Sequence, residues 1–169
     1  MFNVEQTKLD GVLLITPTMM SEDFRGTNTE VYNQYVYRQA GIKNDFVLDS
    51  VSCSRKHVLR GLHGDDHTTK LISCLYGSIY VIVVNNDAES PQYRQWTSFT
   101  LSAQNGLQVL VPPKFGNGHL VMSNNAVFHY NLDAYYDRAS QFTISWNDPA
   151  YKFWWPIQNP ILSERDALI

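Results

Sequence analysis

From Val12 to Ser145 the apolar residues fall in short runs rich in Val, Ile, Thr, Phe and Tyr, each closed by Gly, Pro, Asn, Asp or Ser, while helical periodicity is scarce. β-Branched and aromatic side chains sit well on a pleated surface and crowd a helix, so this pattern predicts a mainly β chain. The expected strands are Val12 to Thr16, Val31 to Tyr37, Phe46 to Cys53, His57 to Arg60, Thr69 to Leu75, Ser78 to Val84, Trp96 to Leu101, Leu107 to Val111, His119 to Met122, Ala126 to Leu132 and Gln141 to Ser145. So many short strands predict an all-β sandwich or barrel. Tyr76-Gly77 between two apolar runs predicts a tight hairpin, and Asn85-Asn86-Asp87 with Pro91 a longer polar turn. Trp154-Trp155-Pro156, inside the Pro-punctuated stretch from Asp148 to Pro160, reads as a packed irregular segment rather than a binding platform. Ser163 ahead of Glu164, Arg165 and Asp166 predicts a short C-terminal helix.

With 169 residues and no linker, repeat or low-complexity stretch, one domain spanning residues 1–169 is expected. The net charge is −3 and no run of like charges reads as a nucleic-acid stripe or an acidic tail, which argues against nucleic acid or a membrane surface as partner. The N-terminus from Met1 to Asp10 lacks an apolar stretch, and the run from Ile79 to Val84 is too short to cross a bilayer, so a cytoplasmic protein is expected. Cys53 and Cys74 lie apart in apolar segments without C-x-x-C spacing, and are read as buried thiols of a reducing compartment. The glycine-rich signatures of phosphate loops, dinucleotide sites and serine hydrolases are missing, and no cofactor is expected.

Three separated places carry residues suited to acid–base chemistry. Arg60-Gly61-Leu62-His63 ends an apolar run in a cation and an imidazole; Phe128-His129-Tyr130 lies on a later strand; Leu162-Ser163-Glu164-Arg165-Asp166 closes the chain. His63 suits a general base if another group orients its second ring nitrogen, a task for Asp166. The competing use of His63 is as a hydrogen-bonded structural group, but the polar loop Gly64 to Thr68 just beyond it favours function. Alternation puts Phe128, Tyr130 and Leu132 on one face, where Tyr130 is either a cavity acid or a core tyrosine. Tyr136 is a weaker candidate of the same kind. Arg25, Arg60 and Lys70 suit a pyrophosphate. Pro112 to His119, with Asn117 inside it, forms either a loop shaping a pocket mouth or a plain strand connection. His57, His63 and His67 raise the question of a metal, but along an extended chain of ~3.3 Å per residue His57 and His63 lie too far apart for one coordination sphere, and no metal is expected.

Taken in order, Val58-Leu59-Arg60-Gly61-Leu62-His63, Lys70-Leu71, Leu101-Ser102-Ala103, Val111-Pro112, Phe128-His129-Tyr130, Trp146-Asn147-Asp148-Pro149, Trp155-Pro156 and Ile161-Leu162-Ser163-Glu164-Arg165-Asp166 resemble the dTDP-4-dehydrorhamnose 3,5-epimerase family. The resemblance implies a cupin jelly-roll barrel, a homodimer, no metal, and a nucleotide-diphospho-4-keto sugar bound inside the barrel. By the same resemblance His63 is the general base, Asp166 its carboxylate partner, Tyr130 the acid on the opposite sugar face and Lys70 the cation near the C4 oxygen. Arg25 and Arg60 match the phosphate-contacting arginines, and Tyr136 the second active-site tyrosine.

The chain departs from the family at Leu48-Asp49-Ser50, where Gln-Asp-Asn is usual, and at Phe115-Gly116-Asn117-Gly118-His119, where Phe-Ala-His-Gly-Phe is usual. That variant pattern, with Asn117 and His119 among the substrate contacts, resembles the relatives that epimerise GDP-linked 4-keto-heptoses for capsular polysaccharide. The expected activity is therefore inversion at C3, at C5 or at both, through an enolate. The rivals are the thymidine-linked 3,5-epimerase, a ketoisomerase on the same barrel, and a sugar-binding barrel without catalysis.

Overall fold

Over residues 2–168, which the computed structural model describes, the β-rich runs pair antiparallel into two main sheets. In chain order the strands are β1 (Asn3–Gln6), β2 (Leu13–Thr16), β3 (Met19–Asp23), β4 (Gly26–Thr29), β5 (Leu48–Arg55), β6 (Leu59–Gly64), β7 (Lys70–Tyr76), β8 (Ser78–Asn85), β9 (Trp96–Ser102), β10 (Gln108–Val111), β11 (Phe115–Val121), β12 (Asn125–Leu132) and β13 (Phe142–Thr143). Helices α1 (Gln34–Gln39) and α2 (Glu164–Ala167) and a 3-10 turn at Arg138–Ser140 complete the described elements. One sheet has the order β1-β2-β10-β7-β12-β5 and the other β13-β6-β11-β8-β9, while β3 and β4 form a separate hairpin. The sheets close face to face as a jelly-roll barrel.

Strand β8 shows why some runs are apolar without alternation. Its Ile79, Val81 and Val83 fill the space between the sheets with Ile72, Val109 and Phe128. Its Tyr80, Ile82 and Val84 face the other way, under Trp146, Phe153 and Trp155 of the C-terminal segment. Both faces are buried, and each such aliphatic side chain contributes about 1.5–3 kcal/mol. A third apolar layer forms where Ile15, Leu71 and Leu110, on the outside of the larger sheet, meet Tyr37 and Ile42. Fully buried Gln108 anchors this layer, accepting from the Tyr37 hydroxyl and donating to the Val31 carbonyl at 2.7 Å.

Several sequence expectations need correction. Val31 to Tyr37 is not a strand: Asn33 caps α1 by accepting from the amides of Tyr35 and Val36, and the helix lays Tyr37 over the sheet. Tyr76-Gly77 does not close a hairpin, because β7 pairs with β10 and β12 while β8 pairs with β11 and β9, so this corner carries the chain between sheets. The region from Pro112 to His119 is largely strand, with β11 beginning at Phe115. Cys53 is exposed on the outward face of β5, whereas Cys74 is buried as expected. Trp155 packs into the core, its Nε1 donating to the Trp146 carbonyl at 2.8 Å, but Trp154 is largely exposed at the edge of Tyr80. β1 and the β3–β4 hairpin were not expected at all, since most of their residues are exposed and carry no apolar alternation. The polar turn between β8 and β9 and the Ser163-capped α2 form as expected.

Candidate active site

Where the two sheets splay, the inward residues of β5, β6, β7, β11 and β12 line a cavity of about 840 Å³. Leu48, Ser50 and Ser52 come from β5, Arg60 and His63 from β6, and Phe128, Tyr130 and Leu132 from β12. Residues after β12 and the turn into α2 form its rim. A side-chain period of two delivers this lining on β5 and β12, while on β6 the register shift against β11 lets Arg60 and His63, three residues apart, share it.

His63 reaches the cavity from a strand that comes unusually close to its neighbour. Gly61 has φ +115°, and a Cβ there would lie 2.6 Å from the Asn117 carbonyl oxygen and the Gly118 Cα. Only glycine lets β6 and β11 approach this far. His63 Nε2 meets Asp166 Oδ1 at 2.7 Å. A carboxylate only accepts, so Nε2 carries the proton and Nδ1 is left with a lone pair for an incoming proton. Asp166 is 4 % exposed. Burial pushes its carboxyl up, but His63, the Ser163 hydroxyl at 3.0 Å and the Gly61 amide together hold it below the usual carboxylate range. The short α2 turn positions this carboxylate, since Ser163 both caps the helix and touches the Asp166 side chain.

Lys70 is buried at the start of β7, and its Nζ donates to the His63 carbonyl at 3.0 Å and to Asn117 Oδ1 at 2.9 Å. Asn117 faces His63 directly across β6 and β11, so one amide ties the lysine to the histidine strand. Burial pushes the Lys70 ammonium down to about 8, with the Asp65 charge opposing the shift. An ammonium held by two neutral acceptors keeps a third N–H donor for another oxygen.

Tyr130 lines the cavity from β12, in the sheet opposite β6, so the phenol and the imidazole come from facing walls. Phe128 beside it stacks on the His119 ring with centroids 4.1 Å apart. His119 is buried, and burial first, then the charges of Arg60 and His63, pushes its imidazolium down to about 3, leaving it neutral. Arg60 lies three residues before His63 on β6, where the register shift sets the two opposite His119 and Asn117 of β11, and its Nε donates to Ser54 Oγ at 3.0 Å. Tyr136, about half exposed, stands at the rim.

The structure thus gathers His63, Asp166, Tyr130, Lys70, Arg60, Asn117, His119 and Tyr136 around one cavity. It leaves out Arg25, which sits on the exposed β3–β4 hairpin paired with Asp23 at 2.6 Å. Arg60 and Lys70, both expected on a pyrophosphate, both line the cavity. His57 lies in a turn at φ 70° and His67 is exposed in the loop before β7, so the histidine cluster disperses; among the described residues no three His, Cys, Asp or Glu gather as metal ligands. Sequence reasoning missed Ser52 and Arg138 in the lining. Ser52 shares its face with Leu48 and Ser50, which alternation along β5 makes readable; Arg138 opens the 3-10 turn two residues after Tyr136, where no strand periodicity marks it.

Comparison with known proteins places this geometry among characterised relatives. The family model described as dTDP-4-dehydrorhamnose 3,5-epimerase matches residues 6–169. The chain is 38 % identical over 172 residues to the Salmonella typhimurium protein of that name, covering 99 % of this chain and 93 % of the relative. It is 31 % identical to the Methanothermobacter thermautotrophicus protein of the same name, over 98 % of this chain and 91 % of the relative. The crystal structure of the Bacillus anthracis dTDP-4-dehydrorhamnose 3,5-epimerase, with TDP and PPi bound, superposes with a TM-score of 0.95 at 34 % identity, over 100 % of this chain and 98 % of that one. The Legionella pneumophila dTDP-6-deoxy-D-glucose-3,5-epimerase, in complex with dTDP-4-keto-L-rhamnose, gives 0.93 at 34 % identity over 99 % and 91 %.

Proposed function

Because the chain belongs to the dTDP-4-dehydrorhamnose 3,5-epimerase family and is a nucleotide-sugar epimerase, we propose that it inverts C3 and C5 of a dTDP-linked 4-keto-6-deoxy sugar inside the barrel. The observation that carries this reading is the origin of His63 and Tyr130 on opposite sheets across one cavity. Inversion at carbon needs a proton removed from one face and returned to the other, and two facing walls supply both.

A C4 ketone acidifies the neighbouring C–H bonds. His63 Nδ1 takes the proton, the C–H electron pair moves into the C=C bond of an enolate, and the carbonyl pair moves onto the C4 oxygen. Lys70 offers that oxygen its free N–H and its charge from a buried position on the cavity wall. Asp166 keeps His63 in the required tautomer and stabilises the imidazolium that forms. Tyr130 then protonates carbon from the other wall, and the ketone re-forms. A ketoisomerase would return the proton to the same side and needs no acid across the cavity, so Tyr130 supports epimerisation.

Lys70 gives this scheme a pH signature. Its ammonium is charged below about 8 and neutral above, and only the cation stabilises an enolate oxygen. The kcat/KM profile, which reports the free enzyme, is therefore expected to fall as pH rises through about 8. Lys70→Met should lower the rate and remove that limb; a limb unchanged in the variant assigns it to another group.

The relatives named above carry thymidine-linked substrates in their names, which supports a dTDP sugar over the GDP-linked 4-keto-heptose suggested by Asn117 and His119. Leu48 and Ser50, standing where Gln and Asn are usual, keep the GDP sugar in the test. Product analysis with dTDP-4-keto-6-deoxyglucose and a GDP-4-keto-heptose is expected to show epimers at C3 and C5 of the dTDP sugar. Exclusive turnover of the GDP sugar overturns the nucleotide assignment, and turnover of neither favours a binding barrel.

The position of β5 at the edge of its sheet and the outward Val51, Leu75 and Tyr76 support a homodimer. The exposed hairpin, with Phe24 98 % exposed beside Arg25, supports it too: outside its own cavity, Arg25 serves the phosphates best by reaching the cavity of a partner. A monomeric mass in sedimentation at micromolar concentration overturns the dimer.

A further inference from the structure

We propose that Asp65, a buried carboxylate outside the cavity lining, is a positioning residue that keeps the Lys70 ammonium charged and so sets the alkaline limit of the reaction, an assignment that rests on Lys70 serving the enolate in the epimerase reading. Asp65 opens the loop between β6 and β7, and Lys70 closes it. The two are 7 % and 8 % exposed, and among the described residues neither takes part in a direct salt bridge. Buried charges are nearly always paired. Two charges of opposite sign, buried at the two ends of one short loop, are therefore each other's counter-charge.

The fold holds the loop ends near each other. The Lys114 amide donates to the Asp65 carbonyl at 2.7 Å, and Val111 faces Lys70 across β10 and β7, so the short turn from Pro112 to Lys114 meets both ends. Thr69, directly before Lys70, donates its amide to Asp133 at 2.7 Å. The Asp65 side chain is fixed as well, since its Oδ1 accepts from the amides of His67 at 2.9 Å and Thr68 at 2.7 Å. Burial pushes its carboxyl up, but those amides, the Thr68 hydroxyl and the Lys70 charge hold it below the usual carboxylate range, so it is an anion at neutral pH.

The acceptors in contact with Lys70 bring no charge to offset its own, as His63 gives a carbonyl and Asn117 a carboxamide. The other charged and titratable groups around the lysine have partners of their own: the His63 ring meets Asp166, Arg60 meets Ser54, Asp133 holds the Thr69 amide and Asn44, and Lys114 pairs with Asp87. Tyr130 on β12 presents a phenol, and Asp66 beside Asp65 is exposed. Burial pushes the Lys70 ammonium down, and among the described residues Asp65 is the charge that opposes the shift. A buried lysine gives up its proton readily, and the neutral amine would bring no charge to an enolate oxygen. Asp65 thus acts on the chemistry through Lys70, without touching the substrate.

Asp65→Asn removes the charge and keeps an oxygen for the two loop amides. The alkaline limb of kcat/KM is expected to move down from about 8 by about one pH unit, the lower end of the effect of a nearby opposite charge, with about tenfold slower turnover above the limb. Asp65→Glu, which keeps the charge and disturbs the turn, should hold the limb nearer its wild-type position. A merely structural role predicts the reverse order, because asparagine fits the loop better than glutamate. The Lys70 proton is followed directly by NMR titration of the lysine ε-methylene groups in isotope-labelled protein, with the Lys70 signal assigned by its loss in Lys70→Met. A Lys70 titration unchanged in folded Asp65→Asn overturns the proposal, and so does a kinetic limb that moves while Lys70 does not. If Asp65→Asn does not fold, Asp65→Ser carries the test, since its hydroxyl can accept from the same amides. The titration is independent of turnover: a Lys70 midpoint that depends on Asp65, in a protein that epimerises no 4-keto sugar, upholds the pairing and sinks the epimerase reading.

Discussion

Replacing His63 by alanine is expected to lower turnover by about 10²–10⁴-fold, the contribution of a positioned general base, with the fold retained. The imidazole is half-buried on the cavity wall, so its removal opens space already continuous with the cavity. Asp166 then loses its 2.7 Å contact but keeps Ser163 at 3.0 Å. The expected stability cost is about 1–3 kcal/mol for one buried partner removed, small enough for circular dichroism to remain native. Were His63 a structural group only, the order would reverse, with a large fall in the denaturation midpoint and near-normal activity in the folded fraction. A variant that keeps more than about a tenth of the wild-type rate removes His63 as the base. Asp166→Asn separates the two halves of the dyad, because a neutral amide can still hold the ring but no longer stabilises imidazolium.

How much of this was legible in the sequence depended on whether a residue's role is set by its own strand or by its neighbours. Strands β7, β8 and β12 were readable because period two and β-branched content are local properties, and Phe128, Tyr130 and Leu132 do share the cavity face that alternation implied. Arg60-Gly61-Leu62-His63 stood out for the same reason: polar chemistry at the end of an apolar run. The α1 helix was misread since Val31 to Tyr37 carries strand-like residues, and only the Asn33 cap and the apolar sheet beneath Tyr37 decide for a helix. The corner at Gly77 could not be told from a hairpin, because whether two adjacent strands pair depends on the rest of the barrel. Nor could the contact of Lys70 with Asn117 be read, as 47 residues separate them and three strands must meet to make it. Arg25 was read as a phosphate contact from its charge and from the family resemblance, and the structure leaves it outside the cavity of its own chain.

Tyr130→Phe is expected to uncouple proton exchange from inversion. In deuterium oxide the wild type should place deuterium at each inverted carbon, since the proton that Tyr130 delivers comes from a phenol that re-equilibrates with solvent. Without the hydroxyl, His63 on the opposite wall still removes a substrate proton and, after exchange with solvent, returns deuterium to the same face. Label should therefore appear in recovered substrate while net epimer falls by roughly 10²-fold or more. The phenylalanine ring occupies nearly the same space beside Phe128, whose centroid lies 5.4 Å from that of Tyr130, so packing gives no cause for the loss. Epimer formed at near wild-type rate would move the acid to another phenol, with Tyr136 at the rim the nearest candidate in sequence. Loss of both exchange and inversion would instead mean that Tyr130 acts before the enolate forms, by holding the sugar where His63 can reach it. Opposite-wall chemistry requires the first pattern, exchange without inversion, and mass spectrometry of recovered substrate and product distinguishes it from the other two.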